Sequence, residues 1–114
     1  MHSKKDPIWL EEQQLENKQI SIGKVPLDLV YLKDHFADFP LVPGVIELQW
    51  VMDKVTQFFD RKIEIKAINK LKFQKFLRPN DVFELTLKWE EDKNRIIFTF
   101  KTDNEMCSSG IMLI

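Results

Sequence analysis

One stretch of this chain, Pro43 to Phe59, spaces its apolar residues as a helix does, and from Ile63 onward apolar and polar residues alternate. Val45, Leu48, Met52, Val55 and Phe59 recur at intervals of three and four, with Glu47, Asp53 and Lys54 on other faces. Ile46, Trp50, Val51 and Phe58 widen that apolar arc, so the helix is expected to be mostly enclosed. A single wide apolar helix among alternating strands has few ways to bury both. The economical one is an α+β plan in which the sheet curls around the helix.

The strands are read in order. Ile20, Ile22 and Val25 give a strand over about 19–25, Pro26 interrupts it, and Leu27 to Leu32 is expected to be extended. Ile63, Ile65, Ala67, Leu71 and Phe73 share one parity after the helix, against Glu64, Lys66, Lys70, Lys72 and Gln74. Phe83, Leu85, Leu87 and Trp89 form the next strand, then Ile96, Phe98 and Phe100, then Met106 to Ile114. Turns are expected at Leu77–Asp81, with Asn80 in a left-handed conformation, at Glu91–Asn94 and at Asp103–Asn104. Residues 1–18 are polar and charged. There Asp6-Pro7 reads as the cap and first position of a short helix through Ile8, Trp9 and Leu10.

With 114 residues the chain suits one domain, 1–114, and a hydrophobic content of 44% supplies a core. The net charge of -1 gives no pull toward nucleic acid or an anionic membrane. Single Cys107 forms no internal disulfide, fits a reducing compartment and is expected to pack in the last strand. With no signal-peptide pattern and no membrane-length apolar run, a cytoplasmic location is expected. No cluster has metal-ligand spacing.

The chemistry-bearing stretch is Asp34 to Gly44. His35 is the one histidine beyond the N-terminal tail, and an isolated loop histidine is ordinarily a surface residue. Here Phe36 and Phe39 would exclude water, Pro40 and Pro43 stiffen the path, and a helix start follows at Pro43-Gly44. A neutral imidazole in such a place can take or return a proton near pH 7. The first-turn amides, Gly44 among them, lack intrahelical acceptors and stand at the positive end of the helix dipole, where they can polarise a carbonyl. On a helical wheel Gln49 lies about 40° from Val45 and is expected to face inward, whereas Glu47, about 200° from Val45, is expected to face solvent or a partner.

The run His-Phe-x-x-x-Pro-x-x-Pro-Gly, His35 to Gly44, closely resembles the active-site motif of the β-hydroxyacyl-acyl-carrier-protein dehydratases. The run Pro-Gly-Val-Ile-Glu-Leu-Gln-Trp resembles the small dehydratase-like proteins of aryl-polyene-type gene clusters. The resemblance implies a hot-dog fold, a long helix wrapped by an antiparallel sheet, over roughly residues 19–114. It implies dehydration of a β-hydroxyacyl thioester by a homodimer, with no cofactor beyond the phosphopantetheine that tethers the substrate to acyl carrier protein. His35 would be the catalytic histidine and Gly44 the amide on the thioester carbonyl, with Phe36, Phe39, Pro43 and Val45 lining the acyl site. Position 49 would be the family's acid, donated across the dimer interface; in this chain it is Gln49. An amide orients by hydrogen bonds but does not exchange a proton. Either His35 then acts alone, returning the α-proton to the departing hydroxyl while Gln49 holds substrate or water, or Asp34 or Asp38 is a substitute acid, or the fold serves as a thioesterase, or the chain is a non-catalytic acyl-binding or partner subunit. The basic run Arg61, Lys62, Lys66, Lys70, Lys72, Lys75 and Arg78 reads either as a solvated strand face or as a landing patch for an acidic carrier protein.

Overall fold

The computed structural model describes residues 6–26, 42–59, 63–103 and 105–114. Among them one helix, α1 (Gly44–Phe59), packs on a six-stranded antiparallel sheet in the order β1-β2-β4-β5-β6-β3. The strands are β1 (Ile8–Gln14), β2 (Lys18–Lys24), β3 (Ala67–Phe73), β4 (Val82–Glu90), β5 (Arg95–Thr102) and β6 (Glu105–Leu113). This is the hot-dog architecture. The extended segment expected at Leu27 to Leu32 lies outside the described residues.

The N-terminal reading is corrected. Ile8–Gln14 is a strand, not a short helix, and it pairs antiparallel with β2. As the edge strand it is exposed along nearly its whole length, so it shows no two-residue alternation of apolar side chains. Only Trp9 turns inward, meeting Phe83 edge-on at 5.7 Å. Ladder pairing decides this segment, not local pattern.

The second strand stands as expected, but its buried parity is the small one. Gln19, Ser21 and Gly23 face the core while Ile20 and Ile22 are only half-buried. Large neighbours take the space: a Cβ at Gly23 would meet the Phe83 ring at 2.6 Å.

Pairing aligns one row of the inner face across the sheet: Ser21, Leu85, Phe100, Ser108 and Phe73. Strand β3 is shorter than expected, and Ile63 and Ile65 pack on the core as an unpaired lead-in. A bulge between Asn69 and Lys72, with Lys70 at φ 52°, brings Ile68 and Phe73 onto one face despite their opposite parity. Asn80 takes the left-handed conformation expected of it (φ 72°), and Asn94 and Asp103 do the same at the next two turns.

The helix crosses the sheet obliquely. Gly44 begins against the Phe73 ring, Trp50 stacks on Phe83 at 5.9 Å, and Phe59 meets Trp89 at 5.2 Å. Its buried residues are Glu47, Trp50, Val51, Lys54 and Val55. Of the stripe expected from Val45, Leu48, Met52, Val55 and Phe59, Val55 is buried and Leu48, Met52 and Phe59 pack half-buried against the core, while Val45 is 70% exposed. The side of α1 that carries Val45, Gln49 and Asp53 faces away from the sheet.

Candidate active site

The start of α1 is held from two sides. The Val42 amide donates to the Leu77 carbonyl at 2.7 Å, and the Ile46 and Glu47 amides close onto the Pro43 carbonyl at 3.0 and 3.2 Å. The amides of Gly44 and Val45 come before that ladder and have no intrahelical acceptor. Glycine is required here by close approach. A Cβ at Gly44 would meet the Phe73 ring at 2.7 Å, and Phe73 is itself stacked on Phe76 at 5.7 Å.

The Leu77–Asp81 turn also grips the chain before the motif. Val25 donates to the Asp81 carbonyl at 2.9 Å, and the Asn80 amide donates to the Val25 carbonyl at 2.8 Å. The two described flanks of residues 27–41, Val25 and Val42, are thus bonded to one turn. His35, Phe36 and Phe39, like Asp34 and Asp38, lie outside the described residues. Of the site residues expected from sequence, the structure places Pro43, Gly44, Val45 and Gln49.

Two of those expectations are reversed. Gln49 is exposed, its amide donating to Asp53 Oδ1 one turn on at 3.1 Å. Glu47, expected to face solvent, is fully buried. The reason is the choice of reference residue on the wheel. Trp50, Val51 and Val55 set the true inner face, and measured from Val51, Glu47 lies about 40° away and Gln49 about 160° away.

The Glu47 carboxyl sits over β6, where Ser108 Oγ donates to Oε1 at 2.8 Å. Its other oxygen, Oε2, has no hydrogen-bond partner among the described residues. Burial pushes the carboxyl up to about 7, against the partial relief given by the Ser108 hydroxyl and the Leu77 backbone amide. A wheel anchored on Trp50 would have found Glu47 in the sequence. Ser108 carries no clear signal in the sequence, being one of two adjacent serines in the final strand.

Farther along the same stripe, Lys54 is buried and pairs with Glu12 of β1, with its ammonium 4.1 Å from the Trp9 ring centroid and 2.9 Å from Gln57 Oε1. Burial lowers its affinity for a proton. Cys107 is buried as expected, its thiol 3.4 Å from the Thr102 hydroxyl and pushed up chiefly by burial.

Of the basic run, Lys66, Lys70 and Lys72 are exposed on or beside β3, Lys75 pairs with Glu105 at 3.1 Å, and Arg78 is exposed. Arg61 and Lys62 lie outside the described residues. Lys75 and Arg78 line a groove of about 540 Å³ with Asn80, Asp81, Val82, Thr102 and Asp103. A second groove of about 660 Å³, at the opposite end of β4, is ringed by Glu16, Glu90, Glu91 and Asp92.

Comparison with known proteins gives four matches. A family model described as ApeI-like, ApeI dehydratase, matches residues 11–111. A 3-hydroxyacyl-[acyl-carrier-protein] dehydratase FabZ from Pediococcus pentosaceus is 21% identical, over 93% of this chain and 78% of its own length. Among solved structures, the dehydratase heterocomplex ApeI:P from Xenorhabdus doucetiae superposes with a TM-score of 0.87 at 26% identity, covering 95% of this chain and 96% of that one. An uncharacterised protein from Erwinia carotovora subsp. atroseptica superposes with a TM-score of 0.72 at 27% identity, each chain covered to 94%.

Proposed function

Since this chain belongs to the ApeI-like dehydratase family, we propose that it dehydrates a β-hydroxyacyl thioester, carried on acyl carrier protein, to the trans-2-enoyl thioester. The observation that carries the reading is the start of α1: amides of Gly44 and Val45 without intrahelical acceptors, fixed against Phe73 and bonded through Val42 to the Leu77–Asp81 turn. A thioester oxygen placed there gains its enolate charge against the positive end of a helix.

In this reading His35 takes the α-proton, and the electron pair moves onto the carbonyl held by the Gly44 amide. As the enolate collapses, the β-hydroxyl departs as water with a proton returned by the imidazolium. Phe36, Phe39, Pro43 and Val45 line the acyl chain, and Gln49 orients the departing hydroxyl. A homodimer fits two features of this chain: the exposed side chain of Val45 and the free edge of β3, where Ile68 and Leu71 are 38% and 40% exposed. Arg78, with the exposed lysines of β3, offers cations to an acidic carrier protein, whereas the groove at the other end of β4 sets Glu16, Glu90, Glu91 and Asp92 against Lys88. The phosphopantetheine arm brings the substrate, and no other cofactor is needed.

A second reading is favoured by one residue. Gln49 is exposed on the side of α1 away from its own sheet, where it would meet a partner and has no proton to give. The structural relative from Xenorhabdus is a heterocomplex. On that model this chain is one half of a site whose acid comes from a different subunit. Gln49→Glu separates the two. If the native chain is competent alone, the variant changes turnover of β-hydroxyacyl thioesters by less than about tenfold; if the acid is missing, it raises turnover by about 10²-fold.

A further inference from the structure

We propose that Glu47 is the carboxyl group of this site, a positioning residue that fixes the start of α1, and with it the Gly44 amide, to the sheet through Ser108 and Leu77. The proposal rests on the reading of Gly44 as the amide that receives the thioester carbonyl.

The geometry supplies the connection. Glu47 is in the first turn of α1, three residues from Gly44, and its side chain drops onto Ser108 in the inner face of β6. Ser108 is flanked in its row by Phe100 and Phe73, so a hydroxyl there has no use in packing. Leu77, whose amide approaches the same carboxyl, accepts through its carbonyl the hydrogen bond from Val42. One side chain therefore bears on both the helix start and the strut that leads into it.

The carboxyl has two states, and the surroundings satisfy neither completely. From β6 it faces the Ser108 hydroxyl and lies near the Cys107 thiol; from the β3–β4 connection it faces the Leu77 amide. On its own helix the next inward charge is Lys54, which is engaged by Glu12 and Gln57. No cation among the described residues pairs with Glu47. With a proton, Oε2 becomes a donor in need of an acceptor; without one, it is a buried anion short of a donor. Changing between these states pulls on Ser108 and Leu77, and so moves the Gly44 amide.

Carboxyl-carbon and amide NMR on the full-length protein between pH 5 and 9 tests this without requiring turnover. The Glu47 carboxyl should titrate near 7, with the Gly44, Val42 and Leu77 amides following the same midpoint. Glu47→Gln should abolish that inflection at Gly44, and Ser108→Ala should move the Glu47 midpoint upward. An inflection at Gly44 that survives Glu47→Gln belongs to another group and overturns the proposal. So does a Glu47 carboxyl that titrates in the ordinary carboxylate range. In the kinetic arm, Glu47→Ala should lower kcat about tenfold or more with KM little changed, and Glu47→Gln should restore it with a flattened pH profile. If the wild type turns nothing over, the dehydratase reading fails while the NMR arm still decides the role of Glu47.

Discussion

At position 47 a carboxyl group is buried with one oxygen lacking a hydrogen-bond partner among the described residues, and that has a thermodynamic consequence separate from catalysis. The unfolded chain releases the Glu47 proton near 4.5, whereas the folded chain keeps it to about 7. The native state is the tighter proton binder, so this contribution is fully present below about 4.5, is lost as pH rises through 7, and stays lost above it. The separation corresponds to at most about 3 kcal/mol. Glu47→Gln should therefore match wild type in urea denaturation at pH 4.5 and exceed it at pH 8 by up to about 3 kcal/mol; equal pH slopes for the two proteins would count against it. The sequence led elsewhere at this scale because a helical wheel needs a reference residue. Val45 looks like core by type, yet it stands on the side of α1 that this sheet leaves uncovered.

Among the elements, β1 is the one that sequence pattern misreads, and its attachment explains why. Its side chains past Leu10 are polar, and the ladder to β2 together with the Lys54 clasp on Glu12 and Trp9 keeps it in place. Lys54→Ala should cost about 1–3 kcal/mol and raise hydrogen exchange along β1. Lys54→Met keeps the packed stem and should cost roughly half as much. Identical exchange in β1 for Lys54→Ala and wild type would show that the clasp holds nothing. Strands β4 and β5 are legible from alternation because each presents one face to the helix and the other to solvent, while β6 shows no such alternation. Strand β3 is only partly legible, since its bulge changes parity between Ile68 and Phe73. The helix was legible in extent but not in orientation: its period is local, while the direction of its buried stripe is set by Phe83, Ser108 and Trp89 far along the chain.

For the whole molecule, one strand at β2, then a helix, then four strands is readable from period changes, β1 being expected as a helix instead, and the ten-residue motif ending at Gly44 points to the family. What local pattern could not carry is the assembly. Val45 on α1 and Ile68 and Leu71 on the edge strand β3 each leave apolar surface exposed, as a chain that associates through them would. Val45→Asp combined with Leu71→Lys should convert a dimer to a monomer in sedimentation equilibrium; a wild type that is already monomeric would contradict the homodimer. The central claim concerns the reaction itself. Purified protein should be incubated with β-hydroxyacyl-loaded acyl carrier protein and the carrier read by mass spectrometry, with His35→Ala beside it. The account predicts loss of one water from the carrier-bound chain, with the thioester intact, and at least 10²-fold slower loss in His35→Ala. Release of the free acid, or a carrier unchanged by the native chain, would contradict it.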